Sequence, residues 1–126
     1  FRRIRTATFV INGIAYLGNG ASNDGMKDFW SYNPNTDNWG RIADFPDAIS
    51  RSAGFSLNNY GYVTGGGWYD DNNQSWRYNP ALDIWEKGEN IGLKGRGNHF
   101  TFILNGKAYI GGGTSEHGGS SCYDIY

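Results

Sequence analysis

The segment Trp30-Ser-Tyr-Asn-Pro-Asn-Thr-Asp37-Asn-Trp39 returns as Trp76-Arg-Tyr-Asn-Pro-Ala-Leu-Asp83-Ile-Trp85. Trp, Tyr, Asn, Pro, Asp and Trp recur together at an offset of 46 residues. Self-similarity at one fixed period is the signature of a repeat architecture, in which each unit buries its apolar face against the next. This constraint precedes every other, because it requires the chain to be read as copies of one local structure.

Three units align, over residues 5–46, 51–93 and 96–126. Each opens on an arginine and an alternating apolar run, with Phe9, Phe55 and Phe102 in equivalent places. Arg96 falls two positions early for that alignment, since an offset of 47 from Arg51 reaches Asn98; a bulge or longer entry is expected there. Asn12-Gly13, Asn58-Asn59 and Asn105-Gly106 follow, residues that accept the positive φ of tight hairpin turns. A second strand carries Tyr16, Tyr62 or Tyr109 and ends in Gly18-Asn19-Gly20, Gly65-Gly66-Gly67 or Gly111-Gly112-Gly113. In Trp30-Ser-Tyr32 and Trp76-Arg-Tyr78 the rings are two residues apart, on one face of a third strand. Asn-Pro then starts a turn, and Trp39 and Trp85 begin a fourth strand.

Four short antiparallel strands per period, marked by glycines and aromatics, predict an all-β fold of β-propeller blades. Of the 126 residues 17% are aromatic, so the core is built from large rings. Twenty glycines against three prolines fit many tight turns. The third unit reaches Tyr126 inside its third strand, so about two and two-thirds blades are expected. Open blade faces then call for completion, either by a longer chain or by a second copy forming a homodimer of half-rings.

The Arg-led first strand, the Tyr and diglycine of the second, and Tyr-Asn-Pro-x-x-Asp-x-Trp between third and fourth resemble the kelch repeat. The resemblance covers essentially the whole chain, and Asp28-Phe-Trp-x-Tyr-Asn-Pro with Ala43-Asp-Phe-Pro is closest in wording to bacterial kelch proteins of the galactose oxidase/kelch superfamily type. Asn19 within the diglycine and Ile91-Gly92 at the second exit depart from the pattern. The resemblance implies a single propeller segment over residues 1–126. It favours a periplasmic, cell-surface or secreted location over a cytoplasmic one.

By the same resemblance, Arg5, Arg51 and Arg96 stand at the mouth of a central channel. Around them lie the loops Asn19 to Asp28, Gly65 to Gln74 and Gly111 to Ser121. Guanidinium groups there suit a carboxylate or phosphate, while Trp68 and Tyr69 offer flat apolar faces and Asp70 a polar one. The alternative is that each arginine caps nearby loop carbonyls. Glu116 and His117 are the acid–base candidates. The expected function is a non-catalytic binding module recognising a protein or glycan. The alternatives are a sugar-acid (sialic-acid-type) epimerase or mutarotase, and a structural propeller without its own ligand.

Exclusions come from charge and composition. A net charge of −1 argues against nucleic acid as the main partner, and no apolar run reaches the roughly 20 residues of a membrane helix. One cysteine, Cys122, precludes an intrachain disulfide. His99, His117 and Cys122 show no spacing of a metal-ligand set, Gly65 to Gly67 precedes no helix that could cradle phosphate, and Asp70 to Asn73 lacks the glycine and glutamate of a calcium loop. No cofactor or metal is expected.

Overall fold

In the computed structural model, asparagine-led turns reverse the chain three times with the same geometry. Asn12 and Gly13 have φ of 49° and 80°, Asn58 and Asn59 51° and 63°, Asn105 and Gly106 50° and 70°. Two consecutive left-handed residues match the right-handed twist of the strands they join. The structure describes residues 2–67, 72–92, 95–115 and 120–121.

These residues form strands and no helix. β1 (Ala7–Ile11), β2 (Ile14–Gly18), β3 (Phe29–Asn33) and β4 (Asn38–Ile42) make one antiparallel sheet in sequence order. β5 (Ala53–Leu57), β6 (Tyr60–Thr64), β7 (Ser75–Asn79) and β8 (Ile84–Lys87) make a second of the same order. β9 (Phe100–Leu104) pairs with β10 (Lys107–Gly111), and β11 (Thr114–Ser115) pairs with β12 (Ser120–Ser121). The registers repeat with the sequence: Phe9 faces Tyr16, Phe55 faces Tyr62 and Phe102 faces Tyr109. Each of these cross-strand pairs is ring-stacked, at 5.1, 4.9 and 5.0 Å between centroids.

β1 of the first sheet packs on β5 of the second, and β5 packs on β9 of the third. The packing is close because small residues sit where backbones meet. A Cβ on Gly54 would stand 2.6 Å from the Thr8 carbonyl oxygen, and one on Gly61 would overlap the Phe9 ring. The core between the first two sheets is aromatic. Trp85 of β8 lies 4.9 Å from both Phe29 and Phe45, and Tyr78 of β7 lies 5.5 Å from Tyr16. Offset and edge-on rings contribute about 0.5–1.5 kcal/mol per pair beyond the area they bury.

The repeated Asn-Pro turn holds this core. In both copies Asp adopts a left-handed φ (52° at Asp37, 53° at Asp83) and its carboxylate accepts from a tyrosine hydroxyl, Tyr32 at 2.9 Å and Tyr78 at 2.8 Å. Asp83 also accepts from the Ala43 backbone N–H at 2.9 Å, while the Trp85 indole donates to the Ala43 carbonyl at 3.0 Å. The second turn therefore clamps the exit of the first sheet. Burial, reinforced by Asp83, pushes the Tyr78 phenol well above its usual pKa.

Candidate functional site

At the start of each first strand the chain takes one left-handed residue before turning into the sheet. These residues are Arg5 (φ 58°), Arg51 (φ 64°) and Asn98 (φ 55°). An L-residue with a long side chain seldom occupies this region, and such strain persists only where the surrounding structure imposes it. Here the constraint is a backbone chain across the sheets: Arg51 N–H donates to the Arg5 carbonyl at 3.1 Å, and Asn98 N–H donates to the Arg51 carbonyl at 2.8 Å. Arg5, Arg51 and Asn98 thus stand in file on one edge of the stacked sheets. Arg5 and Asn98 are exposed and Arg51 is half-buried; the Arg51 Nε lies 3.4 Å from the Gly67 carbonyl.

Arg96 is the correction to the sequence reading. It does not share the position of Arg5 and Arg51; it is fully buried and matches Ile49 and Arg3. Gly66 N–H donates to the Arg96 carbonyl at 2.7 Å as Gly20 N–H does to that of Ile49 at 2.9 Å. Its guanidinium donates to the Gly112 carbonyl at 3.2 Å, the same bond that Arg3 makes to the Asn19 carbonyl at 3.2 Å. The step from the second unit to the third is 47 residues against 46 from the first to the second, and it brings Asn98 to the position of Arg5 and Arg51. Arg96 therefore bonds a loop carbonyl as the capping alternative expected, and the Arg51 contact to the Gly67 carbonyl is of the same kind.

Arg3, which sequence reasoning passed over, binds Asp28 through both terminal nitrogens, at 3.2 and 2.5 Å. Asp28 also accepts from the Trp30 indole at 2.6 Å. Burial pushes the Asp28 carboxyl up, but the Arg3 and Trp30 hydrogen bonds outweigh it and leave the pKa below its ordinary value. The signal available in the sequence was the 46-residue step from Ile49 back to Arg3, and the step of 47 from Arg51 to Asn98.

Behind the exposed file lies a buried polar layer. The second-strand ends are left-handed in all three units, at Asn19 (54°), Gly65 (58°) and Gly112 (65°). Glycine is needed at position 65, where a Cβ would approach the His99 ring to 2.7 Å. His99 is buried, with Nε2 3.0 Å from the Thr64 hydroxyl. That hydroxyl also lies 3.4 Å from the Ala53 carbonyl. Burial, with the Arg96 charge adding to it, lowers the His99 pKa to about 4, so the ring is neutral at neutral pH. Asn19 Oδ1 and Nδ2, Ser52 Oγ, His99 Nδ1 and Thr114 Oγ1 are buried at this edge without a protein hydrogen-bond partner. A groove of about 700 Å³ also opens here on the first sheet, beside Arg2, Arg3, Ile4, Leu17, Ala21 and Ser22.

Trp68, Tyr69 and Asp70, the acid–base candidates Glu116 and His117, and Cys122 lie outside the described residues. Among the described residues no group of three His, Cys, Asp or Glu could hold a metal ion, and no helix is long and apolar enough to cross a membrane.

No family model matches the chain, and no curated protein matches it. Among solved structures, that of YjhT is similar over 92% of this chain, with a TM-score of 0.81 and 26% sequence identity. The chain spans 36% of that protein's chain, so the likeness relates this stack of sheets to a part of a larger fold.

Proposed function

We propose that the chain is a segment of a kelch-type β-propeller whose arginine-bearing edge binds a carboxylated sugar of the sialic-acid type and interconverts its forms, as a mutarotase or epimerase. The observation that carries this reading is the file of Arg5, Arg51 and Asn98, held left-handed by hydrogen bonds in series at the start of the first strands. Two guanidinium groups and an amide on one line suit a carboxylate flanked by hydroxyls, because arginine pairs both carboxylate oxygens while the amide donates and accepts. The three repeated units and the likeness to YjhT support the propeller.

Mutarotation requires a base to take the proton of the anomeric hydroxyl and an acid to protonate the ring oxygen. The ring opens and recloses on the other face of the carbonyl, with no net change in protons. Glu116 and His117 follow the glycines Gly111 to Gly113 that lead from this edge, and they are assigned these two roles; His99, buried and neutral, is not.

A second reading is recognition of a glycan or protein without turnover through the same file of Arg5, Arg51 and Asn98. NMR exchange spectroscopy on N-acetylneuraminic acid separates them. Under the first reading the protein accelerates anomer exchange, Arg51→Ala weakens binding at least tenfold (about 1.4 kcal/mol), and Glu116→Gln slows exchange with affinity retained. Binding without exchange selects the second reading. No binding of any sugar acid, protein or polysaccharide overturns both.

A further inference from the structure

Asn-Gly occurs three times in the chain, at Asn12-Gly13, Asn19-Gly20 and Asn105-Gly106. This dipeptide carries a reaction of its own, because a glycine nitrogen reaches the preceding side-chain amide with no Cβ in the way. The fold treats the three copies differently.

Asn12-Gly13 and Asn105-Gly106 are the tips of the β1–β2 and β9–β10 hairpins. The ladders end at the pairs Ile11 with Ile14 and Leu104 with Lys107, so the tip residues are paired in no sheet. All four are exposed, and apart from chain neighbours no atom lies within 4 Å of where a Cβ on either glycine would stand. Asn19-Gly20 is locked instead. Asn19 is 0% exposed, its N–H donates to the Asp28 carbonyl at 3.2 Å, and its carbonyl accepts from Arg3. The Gly20 N–H donates to the Ile49 carbonyl at 2.9 Å, and the Ile4 carbonyl oxygen stands 2.6 Å from the glycine's Cβ position. The β5–β6 tip, Asn58-Asn59, supplies the remaining contrast. It has the same left-handed pair of residues but a side chain on the second of them. Its sheet is packed against a neighbour on each side, and both tip residues are still exposed, so exposure at a tip does not depend on an open sheet face.

We infer that Asn12 and Asn105 are sites of spontaneous deamidation through a cyclic imide, and that the fold shields Asn19 from the same reaction. The nitrogen of Gly13 or Gly106 loses its proton to hydroxide and bonds to the asparagine Cγ. The Cγ–Nδ2 bond breaks, and the departing nitrogen takes a proton from water and leaves as ammonia. Water then adds to either carbonyl of the five-membered ring and one C–N bond opens, giving aspartate or isoaspartate. One water is consumed and one ammonia released, with no oxidation or reduction. Closing the ring requires the asparagine to swing out of the turn geometry. At Asn12 and Asn105 that motion is confined to an exposed tip, whereas at Asn19 the bonds to Ile49, Asp28 and Arg3 must open first.

Each conversion adds one negative charge to a chain whose net charge is −1. At Asn12 the new carboxylate enters a groove of about 350 Å³ lined by Asn58, Asn59, Tyr60, Asn79 and Pro80, none of them charged. The isoaspartate form also lengthens the backbone by one carbon inside the two-residue turn that sets the Phe9–Tyr16 register. The inference rests on hairpin geometry and is independent of the sugar-acid reading.

The test is incubation of the 126-residue chain at pH 8.5 and 37 °C, with each asparagine followed by digestion and tandem mass spectrometry and isoaspartate counted by enzymatic methylation. Asn12 and Asn105 are expected to convert about tenfold faster than Asn19 and Asn58, or more. In 6 M guanidinium chloride Asn19 is expected to join the fast sites while Asn58 stays slow. Gly13→Ala is expected to bring Asn12 down to the rate of Asn58 and to leave Asn105 unchanged. Native-state conversion at Asn19 as fast as at Asn12, or at either Asn12 or Asn105 as slow as at Asn58, overturns the inference. If Gly13→Ala does not fold, the native chain compared with the denatured one decides alone.

Discussion

Acidification from pH 7.5 to pH 5 is expected to weaken the fold through His99. The imidazole is buried against Gly65 and Thr64, and its pKa falls from 6.5 to about 4 because burial and the neighbouring Arg96 both disfavour the charged form. Between these values the unfolded chain binds a proton that the folded chain does not, so stability rises with pH through this window and is lost as pH falls. Taking 6.5 for the unfolded ring, the linkage ratio changes by about 27-fold between pH 7.5 and pH 5, or about 2 kcal/mol. With a urea dependence of about 2 kcal/mol per molar, the unfolding midpoint should fall by about 1 M. The assay is urea unfolding followed by tryptophan fluorescence at a series of pH values, on the native chain and on His99→Gln. Glutamine keeps a donor for Thr64 but cannot titrate, so its midpoint should lose most of this slope whatever its absolute stability. Asp28 falls outside the window, because its lowered pKa places its loss of stability below the ordinary carboxyl value. A native midpoint that is flat from pH 7.5 to pH 5, or a His99→Gln slope equal to the native one, refutes the reasoning.

Other consequences follow from equivalent positions that differ in surroundings. Asp83→Ala loses both the Tyr78 hydroxyl and the Ala43 N–H, whereas Asp37→Ala loses the exposed Tyr32 hydroxyl; denaturant unfolding should show a cost of about 2–3 kcal/mol for the first and about 1 kcal/mol for the second. Gly61→Ala drives a methyl into the Phe9 ring and should cost about 1–3 kcal/mol by thermal unfolding. Gly13→Ala meets open space and should cost about 1 kcal/mol, from its φ of 80° alone. Arg3→Ala leaves Asp28 largely buried without its bidentate partner, and should lower stability by about 2 kcal/mol at pH 7, with the deficit shrinking as acid protonates the Asp28 carboxylate.

The strands, their order within a period and the hairpin turns were legible because they depend on local chemistry. Asn-Gly and Asn-Asn accept left-handed φ wherever they occur, and Phe9, Phe55 and Phe102 repeat with their tyrosine partners because a two-residue alternation sets the face of a strand. Arg96 was misplaced because it lies two residues before Asn98, the position that a step of 47 from Arg51 reaches, and those two residues at the strand entry separate a buried position from an exposed one. Arg3 went unread because its role depends on Asp28, 25 residues away.

Taken by itself, the amino-acid sequence determined that this chain repeats, that each repeat is a set of short antiparallel strands, and that its core is aromatic. Those properties follow from backbone preference and side-chain alternation, which act over a few residues. Tertiary structure alone decided that Arg96 is buried while Arg5 faces solvent, that His99 is held neutral, that Asp83 clamps a neighbouring sheet while Asp37, among the described residues, does not, and that Phe100, Phe102 and Leu104 are exposed where Ala7, Phe9 and Ile11 are buried. Identical motifs diverge in this way because burial and hydrogen-bond partners are supplied by whichever sheet lies alongside, and no residue carries that information in its own side chain.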